Sequence, residues 1–120
     1  MPYAGAVILG WPLWRAYRRL AFEVAGDSMS PTLEAGDFVL LDPRREARVG
    51  DLVVSTRPDG SALEVVKRVA SIEEDGRLYL LGDNAEASND SRRFGPVAAT
   101  NVVGVVRLRY WPPGRWRLFR

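Results

Sequence analysis

From Phe22 onward, short apolar runs alternate with turn-forming glycine–aspartate pairs: Gly26-Asp27, Gly36-Asp37, Gly50-Asp51, Asp59-Gly60, Asp75-Gly76 and Gly82-Asp83. The runs are FVLL (38–41), LVVS (52–55), ALEVVKRVA (62–70), LYLL (78–81) and VVGVVRLRY (102–110). Apolar stretches this short, bounded by turn residues, predict strands joined by tight connections. The pattern therefore predicts a mostly β domain over residues 22–120, with antiparallel sheets in a barrel-like arrangement. The ASND…FGPV segment between the last two runs is predicted to be a long loop, and long ordered loops often carry function.

The first 21 residues read differently. MPYAGAVILGWPLW (1–14) carries no charged side chain, yet it falls short of the roughly 20 apolar residues that span a bilayer. If 11–21 is helical, Leu13, Trp14, Tyr17 and Leu20 share one face while Arg15, Arg18 and Arg19 share another. Residues 1–21 are thus expected to form a short apolar or amphipathic helix lying on a membrane or on the domain. A basic region ahead of the apolar run, the mark of a cleaved signal peptide, is not seen.

Composition narrows the chemistry. A chain of 120 residues is expected to form one domain with one modest core. It has no cysteine and no histidine, so disulfides, thiol nucleophiles and a Ser-His-Asp triad are excluded. Zinc and copper sites lose their usual ligands, and neither metal nor cofactor is expected. A serine hydrolase here must take its base from lysine, a carboxylate or the terminal amine. The net charge is only +2, but Arg107, Arg109, Arg115, Arg117 and Arg120 close the chain without an intervening acid. They alternate with Tyr110, Trp111, Trp116 and Phe119, as the N-terminal arginines do with Trp11 and Trp14. Such mixtures suit a bilayer headgroup region, although a basic surface with a few packed aromatics has the same composition. No readout motif accompanies the charge, so nucleic acid is not an expected partner.

Two residues could carry chemistry. Period-2 alternation in the third run puts Leu63, Val65, Lys67 and Val69 on one face, so Lys67 is the odd member of an apolar set. Desolvation there would lower its pKa and yield a neutral amine able to act as a base; a strand-end lysine snorkelling to water fits the same pattern. Ser28 lies in AGDSMSPTLEAGD, between Gly26-Asp27 and Met29. Gly-Asp-Ser is common turn material, but a tight turn can expose a hydroxyl. Met29 offers an apolar anchor, and Pro31 restricts Ser30 to extended geometry. Ser28 with Lys67 is the one coherent nucleophile and base pair that the composition leaves.

Four ordered stretches, GDSMSPTLEAGDFVLL, VGDLVV, VVKRV and LGDNAEASNDSRRFGPV, resemble the conserved boxes of the signal peptidase I family across residues 22–110. The resemblance implies Ser28 as nucleophile and Lys67 as general base. It further implies Ser88 as the hydroxyl that orients the amine, Asp90 and Arg92 as a supporting ion pair, and Gly82, Asp83 and Asn84 as the start of their loop. Many members carry Ser or Thr two residues before the nucleophile, where its hydroxyl helps bind the oxyanion. This chain has Gly26 there, which leaves the Ser28 backbone N–H and another donor still to be identified.

Within the family, the short domain and the RYWPP ending look closest to small nickel-type superoxide dismutase maturation proteases. That likeness implies a protein precursor with an N-terminal leader as substrate. A compact signal peptidase I acting on secretory preproteins is the alternative. A catalytically silent β module that binds membrane or protein through its basic aromatic ends is the non-enzymatic one. The self-cleaving domain of LexA-type repressors shares Ser/Lys chemistry but is disfavoured, because no helix-turn-helix pattern precedes Ser28. Membrane association is expected, on the cytoplasmic face, because the arginines follow the apolar segment.

Overall fold

The computed structural model describes residues 20–120. Its core is one antiparallel sheet: β1 (Ala21–Glu23), β2 (Phe38–Asp42), β3 (Leu52–Thr56), β4 (Glu64–Ile72), β5 (Leu78–Leu81), β6 (Val102–Trp111) and β7 (Arg117–Leu118). The strand order is β1-β2-β6-β3-β4-β5, with β7 also on β6. Register shifts interrupt the β2–β6, β3–β6 and β4–β5 ladders, and irregularities of this kind bend strands. The expected mostly β, antiparallel architecture is what forms. Among the described residues, the main path of the sheet runs from β1 to β5 without closing on itself, and β7 adds a further short edge on β6.

Alternation along the central strands splits the buried side chains between two clusters. Val54 of β3, Val66 of β4 and Val106 of β6 pack with Val24, Met29, Leu33, Val39 and Leu41. Their neighbours Val53, Val69 and Val105 pack instead with Leu78, Leu80 and Val97. Each buried aliphatic or Met side chain contributes about 1.5–3 kcal/mol. The loop between β1 and β2 therefore belongs to the core rather than lying over it, because Met29 and Leu33 are buried members of the first cluster.

The five anticipated strands are present, the third with a shifted start. The third run starts at Glu64, not residue 62: Ala62 has φ +62°, and Leu63 is 56% exposed instead of sharing the Lys67 face. The positive φ ends the extended geometry that alternation assumes. Strands β1 and β7 were not anticipated, because two or three residues carry no periodic signal; both are held by pairing to β2 and β6. Most of the helix anticipated over 11–21, with Trp11 and Trp14, lies outside the described residues. Leu20 is helical, whereas Ala21 already opens β1. Among the described residues, no helix is long and apolar enough to cross a membrane.

Candidate active site

Three segments far apart in sequence meet at one cleft. The first is the β1–β2 loop that carries Ser28. Its stem is closed by Val24 N–H donating to Asp37 O and Gly36 N–H donating to Val24 O, both at 2.8 Å. Inside the loop, Ser30 N–H donates to Asp27 O (3.1 Å) and Leu33 N–H to Met29 O (2.9 Å). Met29 is buried in the core beneath the turn, whereas Pro31 is exposed and follows a cis Ser30–Pro31 bond. Gly26 has φ +73°, the left-handed region that glycine occupies most readily. The missing hydroxyl therefore has a backbone reason: the turn into Ser28 favours the residue without a Cβ.

The second segment is β4, which delivers Lys67. Lys67 is 3% exposed, and its backbone pairs with Val53 of β3. Burial pushes the amine below its ordinary range, opposed by the Asp90 carboxylate and assisted by the cations Arg57 and Arg92. At 3% exposure the side chain does not extend into bulk water, as the snorkelling alternative required.

The third segment follows β5. Ladder pairing of Arg68 with Leu81 brings Gly82 to the level of Lys67, and the chain then turns through Ser88 into the one-turn helix α1 (Ser91–Phe94). Lys67 Nζ donates to Ser88 Oγ at 3.3 Å, and Ser88 Oγ donates to Asp90 Oδ2 at 2.6 Å. With its proton committed to Asp90, the Ser88 hydroxyl presents lone pairs to the amine, which fixes the direction of Nζ. Asp90 caps α1 and is fully buried. Burial alone would raise its carboxyl. The Arg92 guanidinium, the Ser88 hydroxyl and the N–H groups of Gly82 and Arg92 together hold it well below the carboxylate range. The Arg92 contacts are bidentate, at 2.8 and 3.0 Å, and Gly82 N–H donates at 2.9 Å.

This loop and the Ser28 turn are joined directly. Asn84 N–H donates to Ser28 O (2.8 Å) and Asn84 Nδ2 to Asp27 O (3.1 Å). Asp83 accepts from Thr32 Oγ1 at 2.6 Å and holds Arg68 through two bonds of 2.8 Å, and these partners lower its pKa, Arg68 foremost. Gly82 is where the three segments converge, since a Cβ there would collide with the Ser88 hydroxyl and come within 2.7 Å of Ser28 O.

Ser28 and Lys67 line the same cleft, about 260 Å³ in volume, with Phe22, Arg57, Glu64 and Asn89 also in its wall. The amine's hydrogen bond goes to Ser88 and not to Ser28; catalytic hydrogen bonds often tighten only with substrate in place. Of the residues singled out from the sequence, Gly26, Ser28 and Lys67 line this cleft, and Met29, Gly82, Asp83, Asn84, Ser88, Asp90 and Arg92 are joined to it by the hydrogen bonds of the two loops. Arg57, Thr32 and Arg68 were missed. Arg68 was visible only as a cation on the other face of β4, and nothing in the local pattern marked Thr32 or Arg57.

Comparison with known proteins places this arrangement. The Peptidase S24-like family model matches residues 11–107. A Schizosaccharomyces pombe protein named mitochondrial inner membrane protease subunit 1 is 36% identical over 115 residues, covering 77% of this chain and 73% of that protein. An Arabidopsis thaliana mitochondrial ATP-independent inner membrane protease subunit 1a is 34% identical, covering 75% of this chain and 69% of its own length. A Danio rerio mitochondrial inner membrane protease subunit 2 is 32% identical, covering 82% and 69%.

Proposed function

Because the chain belongs to the Peptidase S24-like family, we propose that it is a serine endopeptidase that removes N-terminal leaders, with Ser28 as nucleophile and Lys67 as general base. The observation that carries this reading is the buried Lys67 amine, oriented by Ser88 and Asp90 and sharing a cleft with Ser28. Neutral Nζ takes the Ser28 hydroxyl proton as Oγ attacks the scissile carbonyl, and the resulting oxyanion is met by the Ser28 backbone N–H. The ammonium then protonates the departing amine, leaving an ester on Ser28. A water that gives its proton to Lys67 hydrolyses that ester, and the proton returns to Ser28.

Two experiments test the reading. A serine-directed acylating inhibitor should add its mass to Ser28 of the folded protein; a folded sample without adduct supports the silent β module instead. For the substrate, cleavage of a nickel-type superoxide dismutase precursor is set against cleavage of a secretory preprotein. The dismutase precursor is the substrate that the RYWPP ending points to, and preferential cleavage of the preprotein would reject it.

The pH dependence has a defined sign. Activity needs neutral Lys67, so kcat/KM rises with pH through the lowered Lys67 pKa and reaches a plateau above it. Asp90 raises that pKa whereas Arg57 and Arg92 lower it. Asp90→Asn is therefore expected to move the limb to lower pH. It also weakens the hydrogen bond to buried Gly82 N–H, at a cost of about 1–3 kcal/mol. A limb that stays in place or moves up would show that Lys67 is not the titrating group.

The membrane names of the relatives and the basic aromatic C-terminal residues support a position at a membrane surface. Trp116 is 66% and Leu118 67% exposed, and Trp111 is also open, while Arg117 stacks 4.7 Å from the Phe119 ring. Replacing Trp116 and Leu118 by serine in the full chain is expected to weaken co-sedimentation with anionic phosphatidylglycerol vesicles by about tenfold. Unchanged co-sedimentation would remove this face from the contact.

A further inference from the structure

We propose that Arg109, with Asp37 and Arg115, is a positioning cluster that sets where Ser28 stands in the cleft; the inference rests on Ser28 being the nucleophile. Arg109 lies on β6, on the far side of the Ser28 loop from Lys67's supporting loop. It is 7% exposed, and Asp37 is buried beside it. Arg109 Nη1 donates to Thr32 O at 2.9 Å and approaches Asp37 Oδ2 at 3.5 Å, while its Nε donates to Arg115 O. Arg115 Nη1 reaches across from the β6–β7 connection to Asp37 Oδ1 at 2.8 Å. Asp37 completes the set by accepting from Glu34 N–H at 2.9 Å.

Burying a cation beside a carboxylate is a poor route to stability. Desolvation of such groups commonly cancels their attraction, and apolar replacements of similar volume are often at least as stable. The gain is in geometry, because a guanidinium presents several donors in one rigid plane. Thr32 is held by its carbonyl to Arg109 and by its hydroxyl to Asp83, so it is fixed from β6 and from the Lys67 side at once. The position of Thr32 passes to Ser28 by a short path: adjacent Leu33 donates to Met29 O, and Met29 follows Ser28. Asn84 fixes Ser28 O from the opposite direction. Without Arg109, the loop would keep its apolar anchors Met29 and Leu33 and lose one of the two directional holds on Thr32.

The test is Arg109→Met in the full-length protein, a change that keeps an unbranched apolar stem. The expected result is a fall in kcat of about 10- to 100-fold, with KM within twofold. The rate of Ser28 acylation should fall in proportion, and the pH limb set by Lys67 should stay in place. Amide exchange at Leu33 and Asn84 should speed up by about tenfold, a readout independent of turnover. Arg115→Gln, at a half-exposed position, covers the case in which Arg109→Met does not fold; it should show a smaller shift in the same quantities. A lower melting temperature with unchanged kcat, acylation and exchange would make the cluster merely structural and overturn the proposal. If the wild-type protein is neither acylated nor active, the peptidase reading fails, and the exchange rates still decide whether Arg109 fixes the loop.

Discussion

Lys67→Met is expected to lower peptide cleavage by about 10⁴-fold while leaving the melting temperature at pH 7 equal or higher. The two effects have one cause. The amine is buried in a strand environment that disfavours its charge, and the same disfavoured charge favours the neutral amine that a general base requires. Methionine fills a similar volume without the cost of desolvating an ammonium. The pH dependence of stability supplies a further check. The Lys67 pKa in the folded chain lies below the 10.5 of an ordinary lysine. Between those two values the unfolded chain binds the extra proton, so wild-type stability rises with pH across that window. The methionine variant should lack this contribution, as read by urea unfolding at a series of pH values. Ser28→Ala should match the loss of activity without changing the stability slope, because it leaves the amine in place. Cleavage within tenfold of wild type by either variant would defeat the dyad.

The second large effect is expected at Gly82. Gly82→Ala should reduce kcat by about 100-fold or more and cost about 1–3 kcal/mol. The added methyl would overlap the Ser88 hydroxyl, and it would stand 2.6 Å from Ser88 Cβ and 2.7 Å from Ser28 O. Neither neighbour is the loose end of a long side chain. Ser88 Oγ is committed to Lys67 and Asp90, and Ser28 O to the Asn84 N–H. Relief must therefore displace Ser28 or Ser88. Inhibitor acylation kinetics, read beside urea unfolding, separate the two losses. Activity within threefold of wild type would mean that the backbone here yields more readily than its hydrogen bonds imply.

What could be read from sequence followed the range of the interactions. Lys67 was visible because a strand has period 2 and a cation interrupts an apolar face. Asp90 and Arg92 sit in the charged run DSRR, which carries no local mark; their likeness to an ordered motif suggested an ion pair, and the fold shows the carboxylate buried and capping α1. Leu63 was misplaced because alternation was carried through a residue with positive φ, which composition did not reveal. The Arg109–Asp37 contact spans 72 residues, and no local pattern encodes it. The same is true of Gly82, whose small size answers to Ser28 and Ser88 rather than to its neighbours in the chain.

The sheet order has a consequence for how activity arises during synthesis and folding. β2, which closes the Ser28 loop, pairs with β6, the penultimate strand, and Lys67 is aimed by a loop that follows β5. Contacts of such sequence separation form late, because the cost of closing long loops is met only when the sheet assembles. A chain halted before β6 holds both Ser28 and Lys67 but has no frame to set them against each other. The cleft that holds the two residues is therefore completed only when β6 takes its place between β2 and β3, near the end of the chain.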